Sequence, residues 1–469
     1  YQGNISTDKD PKVFDGHMYR YLLSVTTDTA WLEKTKNYLD SIGWNQSKYS
    51  SSAIREQAER FTEEDHPWFG WNKNYIAAKE SLTQEFELFH LYSLQYDGND
   101  NIEDYLPRED THAGWSYIET GKKEKGEYRE GLFQNYSQEV EIAKAEGSFN
   151  KPILVGTRTQ ANNPFNEDGS YKNEYVDKTR LVSMIDIYQI MAEVVFAKRL
   201  QTKLSTVPWY AGGKNDTSIH YLVRHWAELF KYWLSIDYSK YDQTISSWLI
   251  RDAFDVIRAA YKYDTKFDDE LFKIVREDFI NKVICLGWDE LYESSKGVPS
   301  GSMFTQLVDS IVNRLMITTY MTAKGIKEFE MMIMGDDNIV YTKVLVDTTD
   351  LSGYLDRNFG IEMHPDKCKA GICGFQDPQF LSREWTFKGV YRLPELLVAK
   401  LLYPERFRDY HNNVGMHPSM IVYCYRESFP LGMKFLTGDI GISEYKFKNS
   451  IGNGRWLTGL MRYRLLYAS

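Results

Sequence analysis

The chain of 469 residues has only four cysteines, Cys285, Cys368, Cys373 and Cys424. So few thiols build no disulfide framework and show no close zinc-type pairing, so free thiols in a reducing compartment are expected. No stretch approaches about 18 consecutive apolar residues, and no apolar signal core stands at the start. Neither membrane insertion nor secretion is therefore expected. Internal repeats, low-complexity tracts and long Pro/Gly/Ser linkers are missing as well, which points to one compact unit of intimately packed subdomains. An excess of positive charge is also missing, since the net charge is −10. That speaks against a surface coated for phosphate, but a local basic channel is still allowed. Basic residues do cluster in the first half, in "GKKEKGEYR" (121–129), "GTRTQ" (156–160), "KTR" (178–180) and "AKRLQTK" (197–203).

What is present suits a large folded core. Apolar residues make up 42% and aromatic residues 15% of the chain, and such rings fill cores before they offer stacking surfaces for bases. Helical spacing is expected over 52–61 ("SAIREQAERF"), over 181–202 and over 244–261 ("TISSWLIRDAFDVIRAAY"). "KYWLSID" (231–237) reads as a buried strand, 330–344 as a hairpin, and helical patterns return from about 391.

The hairpin sequence "FEMMIMGDDNIVY" (329–341) places Asp336 and Asp337 side by side between two strand-forming runs. A turn needs at most one of them, and two adjacent carboxylates repel. Asp237 ends the apolar strand, where a buried carboxylate is costly unless it is paired or holds a metal. Asp242 follows five residues later, near a helix start, where a capping role is an alternative. In "GVPSGSMFTQLVDSIVNRLM" (297–316), Leu307, Val308, Ile311, Val312, Leu315 and Met316 recur at helical spacing. Thr305, Asp309 and Asn313 step by four along the opposite stripe, which either faces water or serves a site. The flexible lead-in with Ser300 and Gly301 suits contacts to phosphate or ribose at a helix start. Asp237 and Asp336 are the right donors for two hard divalent ions about 4 Å apart.

In this order the motifs resemble the palm of viral RNA-dependent RNA polymerases. "DYSKYD" resembles motif A, "SGSMFTQLVDSIVN" motif B and "GDD" motif C. "GIEMHPDKC" (360–368) is similar to motif D, with Lys367 as its lysine, and "QFLSREW" (379–385) to motif E, the primer grip. "GTRTQ" and "KTRLV" resemble the fingertip motif F, and "DTHAGWSYIETGKKEKGE" (110–127) motif G. The wording of motif B is most similar to polymerases of the partitivirus and picobirnavirus group of double-stranded RNA viruses.

The resemblance implies an α/β right hand of fingers, palm with an antiparallel sheet, and thumb, closed by an N-terminal fingertip bridge. The expected divisions are 1–110 (bridge), 111–230 (fingers, motifs G and F), 231–262 (palm, motif A), 263–296 (fingers insertion), 297–390 (palm, motifs B to E) and 391–469 (thumb). It further implies Mg²⁺ as two ions, with Mn²⁺ as substitute, on Asp237, Asp336 and Asp337, and Lys367 as catalytic general acid. Arg158, Lys178 and Arg180 would face the triphosphate, and Asp242, Ser300, Gly301, Thr305, Asp309 and Asn313 the nucleotide. Thr111, Gly114, Ser382 and Arg383 would line the RNA path. The implied partners are RNA template and product, nucleoside triphosphates and a viral capsid protein, inside the viral particle in the host cytoplasm.

One feature departs from the commonest motif B, in which an Asn follows the Thr by four and holds the 2′-hydroxyl with the second motif A aspartate. Here that position is Asp309. Asp242 is therefore expected to be the main ribose reader, with Asp309 orienting it through a network that includes Asn313. Two rivals stay open: a reverse transcriptase, which usually carries a bulky aromatic where Asp242 stands, and a non-catalytic RNA-binding, capsid-associated protein.

Overall fold

The computed structural model describes residues 14–26, 28–44, 50–95, 104–160, 162–172, 178–261, 266–287 and 290–403. The expected thumb beyond 403, with Cys424, lies outside the described residues. The chain divides into two compact units, where the sequence suggested one. The first takes in residues 50–158 and 180–376, and the second residues 7–49, 159–179 and 377 onward.

In the first unit a four-stranded antiparallel sheet carries the acidic hairpin. Its order is Phe329–Met334, Asp337–Thr342, Tyr232–Ser235 and Lys369–Ile372. The register sets Leu234 opposite Val340 and Ala370, and closes the hairpin at Met334 and Asp337. Both strands are buried on both faces, Met331 to Ile333 in the first and Asn338 to Thr342 in the second, and Gly335 at φ +68 makes the turn. The aspartates at the tip thus sit where two strands and one neighbour must end together.

The helix Thr305–Ala323 packs beneath this sheet and against the helices Lys73–Glu87 and Ser247–Ala259. Its apolar stripe is buried as the spacing predicts: Leu307, Val308, Ile311, Val312 and Met316 are all inaccessible. The opposite stripe is buried too, with Asp309 at 4% and Asn313 at 0% exposure, so it does not face water. A polar stripe inside the protein needs internal partners.

The expected helix over 181–202 begins later. Residues Lys178–Met184 form a strand, and the helix runs Ile187–Leu204, capped by the Asp186 side chain on the Tyr188 amide. That strand is an edge of a second sheet, followed by Ile153–Gln160, Lys282–Gly287 and Glu290–Ser294.

The second unit has its own apolar cluster of Met18, Leu22, Leu32, Leu39, Trp44, Phe165, Leu397 and Leu401. Trp44 Nε1 donates to the Asn162 carbonyl, and Trp31 Nε1 to Glu395. Its hairpin Gln379–Phe380 to Arg383–Thr386 turns through Leu381 and Ser382, both at positive φ, as a tight two-residue hairpin turn requires. Among the described residues no helix is long and apolar enough to cross a membrane.

Candidate active site

Five carboxyl groups from three sequence-distant segments gather in the first unit, with one guanidinium beside them. Asp237 and Asp242 come from the end of the central strand, Asp336 and Asp337 from the hairpin tip, and Asp309 from the buried helix. Arg180 completes the group, its charge felt by Asp242, Asp336 and Asp337. Asp237, Asp336 and Asp337 are exposed to solvent, although protein crowds closely around the last two. Crowding and the charges of Asp336 and Asp237 push the Asp337 carboxyl up to about 6, against the pull of Arg180. Asp336 is raised by the same desolvation and by Asp237. At these two carboxyls solvent access and desolvation by neighbouring protein coexist, so water reaches them without hydrating them fully.

The expectation that Asp237 is a buried strand-end charge needs correction: the strand is buried, but the carboxylate is exposed. The backbone of Asp237 is held from motif D. The His364 amide donates to its carbonyl at 3.1 Å, and its own amide reaches Cys368 Sγ at 3.5 Å. Lys367, exposed, precedes Cys368 and so stands beside the catalytic strand end.

Asp242 is not a helix cap. The short helix Tyr241–Thr244 starts from Lys240 at φ +53, and Asp242 lies within its turn. Burial and the charge of Asp336 push the Asp242 carboxyl up to about 6, partly offset by its hydrogen bond with the Asp309 carboxyl. Burial and the charge of Asp242 push Asp309 well above the usual carboxylate range. Asp309 is fully enclosed, and its Oδ1 has no hydrogen-bond partner among the described residues. Two carboxyls in contact cannot both ionise. The proton therefore belongs on Asp309, and the half-open Asp242 stays the acceptor.

Asn313 is not part of that network. Its Oδ1 accepts from the Tyr238 hydroxyl at 2.8 Å, and its Nδ2 donates to the carbonyls of Gly335 at 3.0 Å and Asp336 at 3.3 Å. Fully buried, with both amide N–H groups already donating, it offers no free donor to a nucleotide. Arg314 is likewise committed elsewhere, pairing with Glu85 at 2.8 Å and lying over the Trp209 ring.

The loop before the buried helix is joined to the strand that carries Arg180. Ser300 Oγ accepts from the Ser183 amide at 3.1 Å and donates to the Leu181 carbonyl. Gly301 has φ +96, and a Cβ there would lie 2.5 Å from the Ser183 carbonyl oxygen, so only glycine fits. The Thr305 hydroxyl donates back to Pro299 and Ser302. Three further residues hold this segment that the sequence did not single out. Lys282, fully buried, donates to four carbonyls, including those of Lys296 and Gly297, and burial lowers its ammonium to about 7. Glu193 accepts from Ser302 Oγ and the Met303 amide, and burial raises it to about 7. Gln201 donates to the Met303 carbonyl. A charged residue within an apolar helical or strand run was the available signal for Glu193 and Lys282.

Arg158 is exposed on the strand neighbouring that of Arg180. The Lys178 side chain lies outside the described residues. Thr111 caps a turn on the Arg108 carbonyl. Gly114 is buried, and a Cβ would lie 2.5 Å from Asp186 Cα, so its glycine serves close packing. Ser382 and Arg383 sit on the hairpin of the second unit, with the Arg383 guanidinium over the Trp385 ring.

Among the described residues no three His, Cys, Asp or Glu side chains close into a ready-made metal cage. The donor set still fits a hard divalent cation. Mg²⁺ takes one or two protein carboxylates and completes its shell with water and substrate phosphate, and Asp237, Asp336 and Asp337 are exposed and mutually repelling.

An antiparallel sheet with acids at its hairpin tip and at the neighbouring strand end, over a buried helix with a glycine-bearing lead-in, defines a palm-type nucleotide polymerase. A family model for viral RNA-dependent RNA polymerase matches residues 7–396, so the chain belongs to that family. Divalent metal ions are general in it. The solved RNA-dependent RNA polymerase of a human picobirnavirus superposes with a TM-score of 0.62, at 14% identity over 96% of this chain and 84% of that one. The RNA-directed RNA polymerase of Cryptosporidium parvum virus 1 (strain KSU-1) is 32% identical over 110 residues. The genome polyprotein of Ljunganvirus 1 is 26% identical over 212 residues. These two matches cover 22% and 41% of this chain, and 20% and 9% of the relatives' own lengths. The right-hand polymerase fold expected from the motifs is thus the fold of this protein.

Proposed function

We propose that the protein copies viral RNA into RNA by two-metal nucleotidyl transfer, replicating and transcribing a double-stranded RNA genome within the viral particle in the host cytoplasm. The observation that carries this reading is the convergence of Asp237, Asp242, Asp336, Asp337 and Arg180 from segments far apart in the chain. Asp237 and Asp336 hold the Mg²⁺ pair, for which Mn²⁺ can substitute, with Asp337 as the supporting acid. Bound there, the ions favour the ionised attacking hydroxyl and offset charge on the transferring phosphoryl group. Arg180, with Arg158 and Lys178, grips the triphosphate, since a guanidinium binds phosphate oxygens bidentately. Asp242 accepts from the ribose hydroxyl across from Ser300, Gly301 and Thr305. Thr111 and Gly114 border the template, and Ser382 and Arg383 the primer end. The fingers, palm and thumb divisions set out above, and a capsid partner, belong to the same reading.

Replacing Arg180 by Ala should raise the KM for nucleotide by about tenfold or more while RNA affinity changes little. A fall in RNA affinity at unchanged nucleotide KM would move Arg180 to the RNA channel.

In this reading Lys367 gives a proton to the leaving pyrophosphate, a role worth about 10²-fold or more in rate. Lys367→Leu should slow single-turnover incorporation by that order with RNA binding intact. Equal single-turnover rates would remove Lys367 from the chemistry.

Extension of an RNA primer on an RNA template, with ribo- and deoxyribonucleotides compared, tests the reading against its nearest rival. Ribonucleotide chains should dominate. Equal or better deoxyribonucleotide extension would make the protein a reverse transcriptase.

A further inference from the structure

Two buried asparagines stand on either side of Asp237, and both reach the same carbonyl. Asn338, which follows the Gly-Asp-Asp turn, accepts from the Ile236 amide through Oδ1 at 3.0 Å. Its Nδ2 donates to the Ile236 carbonyl at 3.3 Å and to the Asp336 carbonyl at 3.1 Å. Asn313, from the helix below, accepts from the Tyr238 hydroxyl and donates to the carbonyls of Gly335 and Asp336. Residues 236 and 238 flank one catalytic carboxylate, and the Asp336 carbonyl belongs to the other. Exposures of 2% and 0% exclude solvent from both amides.

The chemistry fixes which way each amide points. A backbone amide can only donate and a carbonyl can only accept, so Oδ1 of Asn338 must face Ile236 N, and Nδ2 of Asn313 must face the two carbonyls. An aspartate at either position would set an acceptor against a carbonyl and lose the bond. Both N–H groups of each amide are already donating, and burial keeps the remaining oxygen lone pairs from solvent. Tyr238 is itself locked, stacked on Tyr241 at 4.8 Å, and Tyr241 donates to the Asp309 carbonyl. The bracket is therefore fastened to the floor of the site as well as to both its walls.

We propose that Asn313 and Asn338 are positioning residues that set the separation of Asp237 and Asp336, and thereby the affinity of the site for divalent metal. The inference rests on the polymerase reading for its purpose, but its test does not need turnover. Residues that hold the ligands of a metal typically change its affinity by about 10–100-fold when lost.

The test titrates the full chain with Mn²⁺ alone and follows the free-ion signal by electron paramagnetic resonance. Incorporation kinetics are run on the same samples. Asn313→Asp and Asn338→Asp should each weaken Mn²⁺ binding by about tenfold or more and cut kcat, with nucleotide KM and the preference for ribonucleotides within about threefold of the parent. Tyr238→Phe, which removes one hydroxyl and keeps the ring, should move Mn²⁺ affinity in the same direction by a smaller factor. It also carries the test if an aspartate variant fails to fold. Unchanged Mn²⁺ affinity in the folded variants would overturn the proposal. So would a collapse of ribose preference in Asn313→Asp at parental Mn²⁺ affinity, which would make Asn313 a sugar reader. A parent protein that binds Mn²⁺ but incorporates nothing would count against the polymerase reading, and the titrations would still decide the bracket.

Discussion

Asp336→Ala should abolish nucleotide incorporation, by about 10³-fold or more, equivalent to at least ~4 kcal/mol of transition-state stabilisation. Asp237→Ala should do the same. Both carboxylates reach solvent, and for Asp336 the surrounding protein on balance opposes the charged form, so neither change removes a stabilising contact of the charge. What each removes is a negative charge that the other acids raise and oppose: Asp336 is pushed up by Asp237, and it in turn pushes up Asp337 and Asp242. A folded protein keeps such repulsion only where function requires it. The same substitutions should therefore leave the thermal midpoint of the metal-free protein unchanged or higher. Asp337→Ala, which takes away only the supporting acid, should cost less than either. Near-parental incorporation by Asp336→Ala would remove it from the reaction. A strongly lowered midpoint would assign Asp336 a structural role instead.

The second large effect concerns the sugar. Asp242→Ala should narrow the preference for ribo- over deoxyribonucleotides by about 10²-fold or more. A site that hydrogen-bonds a hydroxyl rejects the analogue lacking it because its own polar groups are left unpaired. The shared proton is what lets two acids occupy this position. Enclosed Asp309, raised the further of the two, keeps the shared proton and donates its hydrogen bond to Asp242, whose carboxyl burial and Asp336 push up to about 6. Asp309→Asn preserves a donor toward Asp242 and should retain most of the discrimination. Asp309→Leu leaves Asp242 without it and should lose more. Asn313→Ala should cost rate but not sugar choice, since its amide is bound to Tyr238, Gly335 and Asp336. Competition of matched ribo- and deoxyribonucleotides for one template position reads all of these. Collapse in Asn313→Ala with Asp242→Ala intact would transfer sugar reading to the helix.

The hairpin around Asp336 was legible because two strand-forming apolar runs flank a glycine and two acids in one short stretch. The helix over Thr305–Ala323 was legible because its apolar positions recur at 3.6-residue spacing. What periodicity could not separate was "KTRLVSMIDIYQIMAEVV", where the short half-polar strand runs within three residues into a continuously buried helix. The helix expected over 181–202 accordingly took in residues 181–184 of the strand Lys178–Met184. The roles of the polar stripe were hidden for a different reason. Spacing shows that Asp309 and Asn313 share a face, but it does not show that Asp242 reaches one and Tyr238 the other. Asn338 was visible only as a polar residue breaking the apolar run after the Gly-Asp-Asp turn. Its partner Ile236 lies 102 residues away, and only the sheet register brings them together. The division into two units was illegible as well, since residues 159–179 belong with the segments at 7–49 and beyond 377, a long-range grouping that leaves no local mark.

Incorporation of labelled GTP by the purified protein on a poly(C) template, with Mg²⁺ supplied and then chelated, tests the central claim most directly. The account predicts a template-dependent polyribonucleotide product that disappears on chelation and is absent with Asp336→Ala. RNA and nucleotide binding without any product, or a product that survives both chelation and Asp336→Ala, would contradict it.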